Sequence, residues 1–219
     1  SRRLASDVEG TAVGPIRYEV VEPLRVVRFS LEPNDVQPVS FRWTFTGAVP
    51  PALEQREQHR SRDGLRLDAD IVRYHHIGTA SGWLDVDGAR YQLDDDTAVS
   101  TRDHSWGVRY MVGAPVADVE DPARPPGVST TVIWSPLLCR RADGSHYGIH
   151  LYYQHHGLGG WQRIELQGGI EHPDGRREPF AGLVVKPEVR DDNRRLTAAT
   201  LTATMTDGST RPLTVTALG

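Results

Sequence analysis

Between Thr101 and Tyr110 the chain reads Thr-Arg-Asp-His-Ser-Trp-Gly-Val-Arg-Tyr, so two arginines, an aspartate, a histidine, a serine and a tryptophan fall within ten residues. Asp103, His104 and Ser105 look like the parts of a nucleophilic triad. A triad needs its histidine between the other two in space. A strand sends successive side chains to opposite faces, so Asp103 and Ser105 would point away from His104. The same alternation yields a better set. Arg102, His104, Trp106, Val108 and Tyr110 share one face, and Asp103, Ser105, Gly107 and Arg109 share the other. The first face sets a proton carrier beside an indole whose π surface stabilises a cation. That pairing suits acid-catalysed chemistry of an alkene, with His104 carrying the proton, Trp106 walling the cation, and Asp103 or Arg102 orienting them. A packed corner, with arginine stacked on the indole and aspartate satisfying backbone donors, would use the same residue types.

Other polar groups offer less. Of the nine histidines, four form the adjacent pairs His75-His76 and His155-His156. Neighbours on a strand point apart, and none of the tight zinc spacings is present, so no metal site is expected. His146, His150, Tyr152 and Gln154 fall on one strand face, opposite Tyr147, Ile149, Leu151 and Tyr153. The second set reads as core. His150 and Tyr152 then line either a cavity wall or a solvated or interface face, and Trp134 is one of the tryptophans that would touch a ligand in a barrel with a cavity. Gly159-Gly160 and Gly168-Gly169 lack the lysine and helix start of a phosphate loop, and no dinucleotide fingerprint appears. The chain is therefore expected to work without a cofactor.

The elements that must position these residues read as strands. Asp-Gly occurs at 63–64, 87–88, 143–144, 174–175 and 207–208, a pair suited to tight hairpins because both residues tolerate positive φ. Strands are expected at Ile16–Val20, 24–31, 40–46, 65–77, 83–86, 89–93, 101–110, 128–138, 146–154, 161–170, 182–189, 196–206 and 210–217. Ser40 to Thr46 places Phe41, Trp43 and Phe45 on one face. Pro51 could open a short helix through His59. The last two strands, rich in threonine and alanine, read as a lightly packed or edge region. The predicted architecture is all-β and antiparallel, two packed sheets or linked barrels. The expected division is 1–114, a proline-rich loop at 115–127, and 128–219; one continuous unit also fits.

Composition narrows the function classes. The chain has 219 residues and a net charge of −4, with both signs interspersed and no basic stripe to follow a phosphate backbone, so nucleic acid is not an expected partner. No apolar run is long enough for a membrane-spanning helix. Cys139 stands alone and cannot form an internal disulfide. The start lacks the apolar core of a signal peptide, so the expected location is the cytoplasm.

The segment Arg102-Asp103-His104-Ser105-Trp106-Gly107-Val108-Arg109 resembles the signature of the AttH-like and hydroxyneurosporene-synthase-like group, which includes carotenoid hydratases and some fungal Diels–Alderases. The lead-in Gly82-Trp83-Leu84-Asp85-Val86-Asp87-Gly88 and Tyr91 is similar as well. The resemblance implies a calycin architecture of two lipocalin-like halves around an apolar ligand cavity. In the hydratases a His-x-Trp pair acts with a later Tyr-x-Asp whose acid protonates a terminal alkene. His104 and Trp106 match the first pair, and no Tyr-x-Asp follows in this chain. The resulting expectation is a lipophile-binding protein that hydrates, isomerises or cyclises an unsaturated terpenoid- or polyketide-like substrate. His104, Trp106 and Asp103 would be catalytic, and Arg102, Arg109, Tyr110, Trp134, His150 and Tyr152 would touch the ligand. The alternatives are a binding protein without turnover and a structural domain without a ligand. A homo-oligomer is compatible with either.

Overall fold

The computed structural model describes residues 11–60, 64–109, 127–193 and 195–217. Among the described residues there are fifteen strands and no helix. None is therefore long and apolar enough to cross a membrane as a helix. In the first half the strands are β1 (Thr11–Val13), β2 (Ile16–Glu22), β3 (Val26–Leu31), β4 (Val39–Gly47), β5 (Ala52–Leu53), β6 (Glu57–Arg60), β7 (Leu67–Val86), β8 (Ala89–Leu93) and β9 (Val99–Val108). In the second they are β10 (Val128–Arg140), β11 (His146–Leu158), β12 (Trp161–Glu171), β13 (Arg177–Val189), β14 (Leu196–Met205) and β15 (Thr210–Thr216). The fold is all-β and antiparallel as expected, and its two curled sheets are consistent with a fold of two calycin-like halves.

By compactness the chain divides into two units whose segments interleave. The first holds the described residues up to 109 together with Pro136–Gly148 and His172–Gly175. The second holds those from 127 to 135, Ile149–Glu171, and those from 176 onward.

The first unit is built on β7, a strand of 20 residues. Its C-terminal part pairs with β4 and β8, and its N-terminal part pairs with β5, β6 and β9. The sheet then runs outward from β4 through β3 and β2 to β1. The expected strands 65–77 and 83–86 are thus one element. Gly78 and Gly82 do not break it. They let neighbours approach: a Cβ at Gly78 would overlap the Thr46 carbonyl, and one at Gly82 would overlap that of Arg42. Near its middle, β7 is buried on both faces, with His75, His76 and Ile77 all at 2% exposure or less. His76 lies over Gly47, where a Cβ would overlap its imidazole, and packs edge-on against Phe45 at 4.9 Å.

The expected helix from Pro51 is absent. Ala52 and Leu53 pair with His75 and Tyr74, and Glu57 to Arg60 pair with the start of β7. So short a helix has little stability of its own, whereas these segments gain ladder bonds along β7.

The Asp-Gly reading holds wherever both residues are described. Asp87 and Gly88 have φ of 53° and 81° and close the two-residue β7–β8 hairpin. Asp143 and Asp207 each accept a hydrogen bond from the backbone N–H two residues on, at 2.9 and 2.8 Å. The Ser145 and Ser209 hydroxyls first, and then these backbone bonds, hold the two carboxyls below their usual pKa. In the second unit Ile149, Leu151, Phe180, Leu201, Ala203 and Met205 form the core. Strand β14 therefore buries one face, through Ala199, Leu201, Ala203 and Met205, while β15, with Pro212, forms the edge.

Gly107, within the 102–109 segment, has φ +122°, and a Cβ there would overlap the Asp70 carbonyl oxygen across the β7–β9 ladder. Gly107→Ala is expected to cost at least about 2 kcal/mol, since backbone strain and overlap act together. Gly144→Ala, at φ +84° with open space around it, should cost only about 1 kcal/mol. Urea denaturation of the two variants checks the contrast.

Candidate functional site: an aromatic wall around Arg102

On β9 the alternation is as expected. Arg102, His104 and Trp106 stand opposite His76, Tyr74 and Val72 of β7. The His104 imidazole lies nearly parallel to the Tyr74 ring, with centroids 5.3 Å apart and planes 21° apart. The Trp106 indole meets Tyr74 edge-on at 6.4 Å and His104 at 5.6 Å. Trp106 is 49% exposed and His104 is exposed as well, so the three rings form a surface with one side open.

Arg102 lies behind this surface, only 9% exposed. Its guanidinium carbon is 5.0 Å from the Tyr74 ring centroid and 5.7 Å from that of Tyr18 on β2. Nη2 donates to the Tyr18 hydroxyl oxygen and lies 3.5 Å from His104 Nδ1. Among the described residues no carboxylate pairs with Arg102. Cation–π contact and these two acceptors stabilise its charge instead. Beyond Tyr18 the rings continue as Phe29 at 5.2 Å, then Trp43, then Phe41 stacked on Trp43 at 4.4 Å. They come from β2, β3 and β4, whose register puts Tyr18 opposite Phe29 and Phe29 opposite Trp43.

Proton positions follow from Arg102. A guanidinium only donates, so His104 Nδ1 accepts and the imidazole proton is on Nε2. Burial and the neighbouring Arg102 charge both lower the His104 pKa below 6.5, against a smaller opposing pull from Asp103. The Tyr18 oxygen also accepts from Arg102, and burial, the largest effect on it, raises its pKa, so it remains a phenol.

Asp103 occupies the reverse face. Its carboxylate is 3.5 Å from Arg73, which is 3.5 Å from Glu54, which in turn is 3.2 Å from His75. The contact that orients His104 therefore comes from Arg102 and not from Asp103. Arg109 also lies on the reverse side, donating to Ser105 Oγ. Tyr110 and residues 115–126 of the proline-rich segment lie outside the described residues.

Trp134, His150 and Tyr152 belong to the second unit. There the Trp134 and His150 rings meet at 6.4 Å and 75°, and His150 is buried, where a solvated face was one expectation. Gln154 donates to the Tyr152 oxygen; its own oxygen is 3.0 Å from His156 Nε2, and His156 Nδ1 is 3.4 Å from Thr130 Oγ1.

Sequence reasoning missed Tyr18 and Tyr74. Tyr18 alternates with Ile16 and Val20 and reads as plain strand. The only available signal is that a tyrosine in a half-buried position needs a partner for its hydroxyl.

For His104 the folded pKa lies below the unfolded value. Its contribution to stability is therefore fully present above pH 6.5 and lost as pH falls through the lower folded value. His104→Gln should accordingly lose less stability than the wild type between pH 8 and pH 5, read as the shift in urea midpoint. A ring-proton NMR titration of His104 should show a midpoint below 6.5.

Residues 1–218 match the family of unknown function DUF8625, and the chain belongs to that family. No curated protein matches the chain. No solved structure matches it.

Proposed function

We propose that this member of DUF8625 binds an unsaturated, lipophilic small molecule, terpenoid- or polyketide-like, against the open aromatic surface of Tyr74, His104 and Trp106. The observation that carries the reading is that surface itself. Three rings from two paired strands are half-open to solvent and backed by a buried cation. An exposed indole gains little by facing water, and flat π surfaces stack on conjugated carbon frameworks. The resemblance of residues 102–109 to the AttH-like and hydroxyneurosporene-synthase-like group supports the same class of ligand. Work in the cytoplasm, without a cofactor, fits this reading.

Turnover is a second reading, favoured by the state of His104. Hydration begins with protonation of an alkene, which requires an acid. An imidazole whose pKa is pushed down, with Nδ1 facing a guanidinium, is less often in the cationic form that protonates an alkene and instead donates a hydrogen bond through Nε2. Among the three reactions compatible with the resemblance, this arrangement suits isomerisation or cyclisation better than hydration.

Native mass spectrometry of the protein taken from its own host should show an apolar adduct released on denaturation. Trp106→Ala should weaken binding of a conjugated probe such as β-ionone by about tenfold, or roughly 1.4 kcal/mol, in a tryptophan-quenching titration. Unchanged affinity in that variant would remove the wall from the binding site.

A further inference from the structure

The geometry points to a ligand oxygen at this site, a carbonyl conjugated to the unsaturated framework, received by two donors: the Tyr18 hydroxyl and His104 Nε2–H. The inference rests on the binding reading above and adds to it the class of ligand and a further binding residue, Tyr18.

The argument begins with the direction of each hydrogen bond. One nitrogen, Arg102 Nη2, touches both the Tyr18 oxygen and His104 Nδ1. It can only donate, so both groups accept from it and each keeps its own proton for another partner. Among the described residues, no acceptor takes the Tyr18 hydroxyl proton or the His104 Nε2 proton. Two neutral donors are thereby set by a single buried cation.

The charge behind them has the same sense. Arg102 is buried among rings, with no carboxylate paired to it among the described residues, so its positive field reaches the donors opposed at His104 only by the smaller effect of Asp103. Donors so placed stabilise negative charge developing on oxygen, the arrangement that polarises a carbonyl and the enolate derived from it. A simple alkene offers no lone pair to these protons. A hydrocarbon lying over them would leave both unsatisfied, which costs free energy. Tyr18 and Tyr74 flank the same guanidinium, so the oxygen would lie at the Tyr18 end while the conjugated carbons run over Tyr74 and Trp106.

The test compares two ligands of nearly the same shape, 2-acetylnaphthalene and 2-isopropenylnaphthalene, which differ by oxygen in place of CH₂. Affinities are measured by tryptophan quenching on the wild-type chain and on Tyr18→Phe, His104→Phe and the double variant. The wild type should bind the ketone at least about tenfold more tightly than the hydrocarbon, the yield of one to two hydrogen bonds. That ratio should fall in each single variant and approach one in the double variant. The ratio is internal to each protein, so partial loss of fold or of the wall lowers both affinities and leaves it unmoved.

Equal affinities on the wild type would overturn the carbonyl assignment and leave the aromatic surface as a binding site. A ketone preference that survives the double variant would equally remove Tyr18 and His104 as its donors. Binding of neither ligand would overturn the binding reading and this inference together.

Discussion

The placement of one buried cation organises the first unit. Arg102 lies on β9 and Tyr18 on β2, 84 residues apart in sequence and separated in the sheet by β3, β4 and β7. A flat sheet would hold these strands more than ten ångströms apart. Their hydrogen bond exists because the sheet curls, and the Tyr18 and Tyr74 rings flank the guanidinium in place of a carboxylate. Burying an unpaired guanidinium among apolar side chains alone would be costly. The rings therefore stabilise Arg102, Arg102 sets the protons of Tyr18 and His104, and these in turn define what the open surface can hold.

The curl depends on close backbone approach. Gly47, Gly78, Gly82 and Gly107 stand where a Cβ would overlap a neighbouring strand or the His76 ring. Gly82 and Gly107 also take φ values of +136° and +122°, which side chains bearing a Cβ rarely adopt. Gly82 and Gly107 thus serve the sheet, while His104 and Trp106 face the open surface. On β9, neighbouring residues divide the work: Gly107 serves the packing and Trp106 the site.

Much of the fold was legible in local pattern. Period-two alternation located the strands, and Asp-Gly located the hairpins. The face shared by Arg102, His104 and Trp106 followed from alternation on β9 alone. The misreadings have a common cause. Ala52, Leu53 and Glu57 to Arg60 have weak local preference, and the unpaired edge of β7 decides their conformation. Gly78 and Gly82 look like interruptions in sequence, yet in the sheet they are points of contact. Asp103 reads as a partner for its neighbour His104, but adjacent strand residues face apart and its charge meets Arg73 instead.

What the chain determined by itself was the set of faces: which residues alternate, where the turns fall, and that an imidazole and an indole look the same way. These are consequences of strand periodicity and turn chemistry, which act over a few residues. Only the tertiary structure decided that Tyr18 belongs with Arg102, that burial and Arg102 push the His104 pKa down, and that Asp103 lies behind the site. Those depend on register and curl, set by the sum of many weak pairings between distant segments, and no local pattern encodes where such a sum comes to rest.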